Sequence, residues 1–295
     1  MLILISDPFD ASLPNKLSKL GDVTVDKSRL GEAHVVLVRS KTICDKNFID
    51  EASQVKLIIR GGVGIDNIDV EYAQKKGIIV RNTPKASSVS VAELTFALML
   101  SIPNYIVQAH LGMENGEWLK SKIKRSELFG KTLCLVGIGN IATEVAKRAA
   151  AFGMRVIAYD KYVDKSKWAE LKPTLREAVK DADYISLHLP LTDETENILN
   201  ADILACCEKN PVVINTGRGN TVNAEDMKKA LEEGRVYWYA TDVWPTDPPE
   251  SDYPILSAPR TLMTPHIGAG SQENLMRIGE EAYGIIEDVF YGGNR

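Results

Sequence analysis

Residues 137–142 read Gly137-Ile138-Gly139-Asn140-Ile141-Ala142, a G-x-G-x-x-A run. In such a run the first glycine permits a tight turn and the second lets backbone approach a pyrophosphate. The third position needs a small side chain for helix–strand packing. The phosphates belong at the positive N-terminus of the helix that follows. Glycine turns are common, so context decides what the run means. Here an apolar strand precedes it, an apolar-faced helix follows, and Asp160 ends the next strand, eighteen residues after Ala142. An acid about 20 residues on is where a dinucleotide ribose is held. A carboxylate there accepts hydrogen bonds from both ribose hydroxyls and repels a 2′-phosphate. NAD is therefore expected over NADP, although Lys161 and Lys165 lie close by.

The elements that must position this turn alternate in kind. Leu2–Ser6, Val35–Arg39, Leu57–Arg60 and Ile78–Val80 read as buried parallel strands, with helices near Asp45–Ser53 and Val70–Lys76. Ser90 and Glu93 form an S-x-x-E capping box that predicts a helix over Val91–Leu100, ended or kinked by Pro103. The basic segment Gly116–Gly130 reads as a solvated connector. A second series predicts strands at Thr132–Val136, Arg155–Tyr159, Tyr184–Leu187, Val212–Asn215, Trp238–Thr241 and Leu262–Thr264. Helices are expected between them at Asn140–Phe152, Thr174–Lys180, Ala201–Cys206 and Ala224–Glu233, and a last one over Glu273–Phe290. Such alternation is the pattern of α/β domains.

Composition excludes several classes. A chain of 295 residues suggests about two domains and buries a core without disulfides or metal. Hydrophobic residues make up 44% and charged residues 25%, which is globular composition rather than disorder or coiled coil. A net charge of −5 argues against nucleic-acid or anionic-membrane partners. Cys44, Cys134, Cys206 and Cys207 match no zinc spacing, so no metal is expected and a reduced, cytoplasmic compartment fits. No signal peptide is read at the N-terminus. Leu94–Met113 carries no acidic or basic residue, but Pro103 and its polar residues favour a buried, broken helix over a membrane span.

Five segments, in order, resemble the D-isomer-specific 2-hydroxyacid dehydrogenases: Gly61–Asp69 (GGVGIDNID), Asn82–Glu93 (NTPKASSVSVAE), Gly137–Ala142, Asn215–Gly219 (NTGRG) and Thr264–Gly270 (TPHIGAG). The resemblance implies a Rossmann-type doubly wound parallel sheet domain inserted into a smaller flavodoxin-like α/β substrate domain. On that reading residues 1–94 begin the substrate domain, 95–266 bind NAD, and 267–295 return to the substrate domain. The chemistry needs a base for the hydroxyl proton, a cation for the carboxylate and carbonyl, and an acid to orient the base. Of His34, His110, His188 and His266, the resemblance singles out His266, which follows Pro265 at a strand end. It makes Arg218 the cation, and a planar guanidinium suits a carboxylate. The acid departs from the family pattern. Asp247 in DVWPTDP stands where the family usually has Glu, one methylene longer, and Glu250 is a possible substitute.

The resemblance also assigns cofactor contacts to Gly137, Gly139, Asn140, Ile141, Asp160, His188, Leu189, Pro190, Thr216, Asp242 and Gly268. On the substrate side, the amides of Gly62, Val63 and Gly64 could cradle a carboxylate. Arg39, with Ser40 beside it, resembles the arginine that holds the phosphate of 3-phosphoglycerate, and Arg60 is a second candidate. The implied activity is NAD-dependent oxidation of a small, phosphorylated 2-hydroxy acid, foremost D-3-phosphoglycerate in serine biosynthesis. Glyoxylate or hydroxypyruvate reduction and a non-catalytic, NAD-sensing corepressor role are the alternatives. The chain stops soon after its last helix, so a C-terminal regulatory domain is not expected. A homodimer joined through Leu94–Gly130 is.

Overall fold

The computed structural model describes residues 1–292. They form two compact units, Met1–Ser90 together with the chain from Ala269 onward, and Val91–Gly268. The crossings thus fall at 90/91 and 268/269, against the expected 94/95 and 266/267. The first crossing lies inside one helix, Ser88–Asn104. That helix starts three residues before the expected Val91, and the capping box is not its start signal. Ser87, Ser88 and Ser90 are all buried in protein, and Glu93 reaches Arg148 at 3.3 Å instead of turning back. Pro103 sits near the helix end, Tyr105 takes the left-handed conformation (φ 54°), and a second helix, Ile106–Glu114, leaves at 62°. Among the described residues no single helix is long and apolar enough to cross a membrane.

The first unit holds a parallel sheet of β1 (Leu2–Ile5), β2 (Asp22–Thr24), β3 (Val35–Val38), β4 (Leu57–Arg60) and β5 (Ile79–Asn82). Its order, β2-β1-β3-β4-β5, is the flavodoxin-like order. Strand alternation divides the core in two. Ile3, Ile5, Val35, Leu37, Leu57 and Ile59 pack under Leu13, Leu17, Ala282 and Ile286. Leu4, Val36, Val38 and Ile58 face Leu30, Ile49 and Ala73. β2 was not expected because it is a three-residue edge strand with no buried residue.

The second unit holds β6 (Thr132–Val136), β7 (Arg155–Tyr159), β8 (Glu170–Leu171), β9 (Tyr184–Leu187), β10 (Val212–Asn215), β11 (Trp238–Thr241) and β12 (Thr261–Met263). All pairings are parallel, in the order β12-β11-β10-β9-β6-β7-β8. This is the doubly wound Rossmann order with one further strand. The chain reverses its direction of winding between β6 and β9, and ligands of such sheets bind outside the strand carboxyl ends at that point. Continuous apolar runs made β6, β9, β10 and β11 legible, since every residue of these strands is buried.

Candidate active site

Gly137 ends β6 with φ +89°, and its N–H donates to the Tyr159 carbonyl at 2.8 Å. A Cβ there would come within 2.8 Å of Leu189 Cδ2 and 3.0 Å of the His188 carbonyl oxygen. Both backbone and space therefore demand glycine. Gly139 is different. It precedes the helix Asn140–Ala151, and a Cβ on it would meet no protein atom within 4 Å. The protein does not require glycine there, whereas a pyrophosphate seated on the helix N-terminus would. Asp160 is fixed above this turn. Its Oδ2 accepts the Ile138 N–H and its Oδ1 the Tyr162 N–H, each at 2.9 Å. The residues fit a dinucleotide.

Gly137, Gly139, Asp160, His188, Leu189 and Pro190 line one cavity of about 470 Å³. Asn140 and Ile141 lie beside it on the helix start. Sequence reasoning missed Tyr162, Thr192, Glu194 and Thr195, which form another part of the same wall. They are polar loop residues, and no periodicity marks them.

His188 is half-buried at the end of β9 and lines the cavity. Its Nε2 pairs with Ser186 Oγ at 2.9 Å, and its Nδ1 lies 3.4 Å from Thr216 Oγ1. Burial pulls its pKa down to about 3, so the ring is neutral at physiological pH. Thr216 in turn meets Thr95 Oγ1 at 3.0 Å. The other histidines lie elsewhere. The His34 ring accepts the Leu2 N–H at 3.2 Å, and His110 faces Glu114 on an exposed helix.

His266, Asp247 and Arg218 come from the loops after three adjacent strands. His266 Nδ1 lies 2.5 Å from Asp247 Oδ2. The shorter acid thus reaches the ring, and Asp247 rather than Glu250 is its partner. His266 holds φ +53°, a left-handed conformation that costs a non-glycine residue energy unless its surroundings enforce it. They do. Asp242, buried at the end of β11, accepts Thr264 Oγ1 at 2.6 Å and the N–H groups of Ile267 and Gly268, each at 2.8 Å. The Trp244 indole N–H donates to the Thr264 carbonyl at 3.1 Å.

Arg218 follows β10 and is half-buried. Its carbonyl accepts Asn215 Nδ2 at 2.8 Å and Thr221 Oγ1 at 2.7 Å, which fixes the turn. A Cβ on the next residue, Gly219, would overlap the Trp244–Pro245 backbone, with Pro245 N at 2.6 Å. Glycine at 219 is what lets the Arg218 turn and the Asp247 loop touch.

In the first unit, Arg39 and Arg60 stand at the ends of β3 and β4. The Arg39 guanidinium lies 3.3 Å from the Pro8 carbonyl oxygen and 3.4 Å from that of Ala269; Ser40 beside it is exposed. The Arg60 guanidinium covers Gly62, where a Cβ would overlap it and φ is +144°. The glycine turn is narrower as a cradle than its sequence implied. The Gly61 N–H is taken by the Val38 carbonyl at 2.8 Å, and that of Gly62 by Thr83 Oγ1 at 2.7 Å. Among the described residues, the Val63 and Gly64 amides are the ones of this turn without an acceptor.

Gly219→Ala is expected to destabilise the protein by about 1–3 kcal/mol, the cost of overpacking. Urea denaturation followed by circular dichroism measures it. An unchanged midpoint would mean that the two loops do not need their close approach.

Comparison with known proteins agrees with this geometry. Residues 96–268 match the family described as D-isomer specific 2-hydroxyacid dehydrogenase, NAD binding domain. The chain is 41% identical to a D-3-phosphoglycerate dehydrogenase of Methanocaldococcus jannaschii, over 98% of this chain and 57% of that protein. It thus spans little more than half the length of that relative. It is 38% identical to a hydroxypyruvate reductase of Thermotoga maritima, over 97% of this chain and 96% of that one. Among solved structures, a D-lactate dehydrogenase of Aquifex aeolicus complexed with NAD and lactic acid superposes with TM-score 0.86, at 27% identity over 99% of this chain and 96% of that one. An acyclic imino acid reductase in complex with NADPH and D-arginine gives TM-score 0.89, at 29% identity over 99% and 98%. The glycine turn, the Rossmann strand order and these matches lead to one conclusion: the chain belongs to the D-isomer-specific 2-hydroxyacid dehydrogenase family, and its second unit is that family's NAD-binding domain.

Proposed function

We propose that the protein oxidises a D-2-hydroxy acid with NAD, or reduces the corresponding keto acid with NADH. The observation that carries this reading is the His266–Asp247 pair, held at 2.5 Å in a loop system packed against the Arg218 turn. Gly137, Gly139 and Asp160 hold the dinucleotide, with His188, Leu189 and Pro190 along the cavity wall. Thr216, Asp242 and Gly268 contact its nicotinamide end. Bound NAD supplies a carbon that accepts a hydride from C2 of the substrate.

The chain's own residues do the rest. Asp247 occupies Nδ1 of His266, which leaves Nε2 to take the C2 hydroxyl proton. The same carboxylate stabilises the imidazolium that forms. Arg218 holds the substrate carboxylate and polarises the C2 oxygen. Within the first unit, the Val63 and Gly64 amides suit a carboxylate. His188 stays neutral and takes no part in proton transfer.

D-3-phosphoglycerate is the substrate proposed first, which places the reaction in serine biosynthesis. Arg39 and Arg60, at adjacent strand ends, suit a phosphate. Hydroxypyruvate or glyoxylate is the second reading, favoured by the match to nearly the whole of the Thermotoga hydroxypyruvate reductase. A corepressor-like role without turnover is the third. The four free cysteines suit a cytoplasmic setting. A homodimer is also proposed, through the exposed apolar face that includes Ile106, Leu111, Met113 and Trp118.

His266→Ala is expected to lower kcat about 10²- to 10⁴-fold while NADH still binds, as fluorescence titration would show. Equal turnover would remove His266 from the chemistry, and no turnover by the unmutated protein with any keto acid would favour the corepressor reading. NADH oxidation with phosphohydroxypyruvate, hydroxypyruvate and glyoxylate separates the substrates. Arg39→Ala is expected to cost kcat/KM about tenfold or more for the phosphorylated acid only. Equal loss with all three acids would count against a phosphate site. Light scattering at micromolar concentration should give the dimer mass, and a monomer alone would rule the interface out.

A further inference from the structure

The cavity wall beside Asp160 carries an arrangement that the glycine turn does not explain. Lys161 follows Asp160 and lines the same cavity, so a cation stands on the wall that carries the ribose acid. Its Nζ lies 2.6 Å from Glu194 Oε1. The other oxygen of that carboxylate, Oε2, accepts the Tyr162 hydroxyl at 2.8 Å. All three residues line the cavity with Asp160. Lys161 and Tyr162 hold the Glu194 carboxyl below its ordinary range, so it is ionised wherever the enzyme would work.

Glu194 does not depend on Lys161 for its place. Its loop is tied by bonds of its own, Thr195 Oγ1 to the Pro190 carbonyl at 2.6 Å and the Thr192 N–H to Thr195 Oγ1 at 2.8 Å. Both members of the ion pair are about half exposed, so it adds little to folding. Its consequence is local charge. Asp160 and Glu194 outnumber Lys161, and the wall is net negative despite its lysine. The fold does not make that choice, because the reductase complexed with NADPH has the same frame at TM-score 0.89.

We propose that Glu194 is a specificity-determining residue for the cofactor: by holding Lys161 it withholds that cation from a 2′-phosphate and keeps the site selective for NAD. This rests on the reading of the cavity as the adenosine-ribose site. Glu194→Gln keeps a hydrogen-bonding partner for Tyr162 but removes the charge. Lys161 then faces the cavity beside Asp160 alone.

The test is binding, read by the fluorescence of NADH and NADPH titrated against the purified protein. The affinity ratio of NADPH to NADH should rise about tenfold in Glu194→Gln. That gain should shrink as salt is raised from about 0.01 M to 0.15 M. It should vanish in the Glu194→Gln, Lys161→Ala double variant. An unchanged ratio, or a gain that survives loss of Lys161, overturns the proposal. Asp160→Ala tests the cavity reading separately, since it must weaken NADH. If it does and Glu194→Gln leaves the ratio unmoved, the site stands and the role of Glu194 falls. If Asp160→Ala leaves NADH binding intact, both fall.

Discussion

The buried carboxylate of Asp242 is the contact on which the candidate catalytic loops depend. At 2% exposure a carboxyl group is costly unless its polar atoms are met by hydrogen bonds. Thr264 Oγ1 and the amides of Ile267 and Gly268 meet them. Those donors flank His266 on both sides, so satisfying the acid fixes the loop, and the loop forces His266 into its left-handed conformation. The carboxyl group at the end of β11 thus sets where the histidine after β12 stands. The same segment continues into Trp244, whose indole binds the Thr264 carbonyl and whose backbone lies against Gly219. One short run, Asp242–Asp247, therefore touches both neighbouring loops and also supplies the acid that pairs with His266.

How much of this was legible follows from what each feature needs. The central strands need continuous apolar runs, and sequence shows those directly. β2 and β8 are short edge strands with little or nothing buried, so their pattern is indistinguishable from loop. The glycine turn and Asp160 were legible because each residue type has a local reason. The capping box misled because Ser90 and Glu93 have the right types but find other surroundings, burial for one and Arg148 for the other. Asp247 was a matter of reach, which depends on loop geometry, and sequence alone does not carry that. The Glu194 contact was invisible, since its partner is a lysine thirty-three residues away.

Strand order then explains why cofactor and candidate catalytic residues share one edge of the second unit. All seven strands run parallel, so every carboxyl end opens on the same side. Along that edge the order is Asp160 after β7, Gly137 after β6, His188 after β9, Arg218 after β10, Asp247 after β11 and His266 after β12. Neighbouring strands lie about 4.8 Å apart, so three steps from β7 to β10 cover roughly 14 Å. On the proposed reading, a dinucleotide with its ribose at Asp160 and its pyrophosphate at the Gly139 helix start would run along that edge toward Arg218, Asp247 and His266. The reversal between β6 and β9 puts the start of the helix Asn140–Ala151 on that path, one strand from Asp160. The parallel sheet thus acts as a ruler: it separates Asp160 from Arg218, Asp247 and His266, and fixes the distance between them by counting strands.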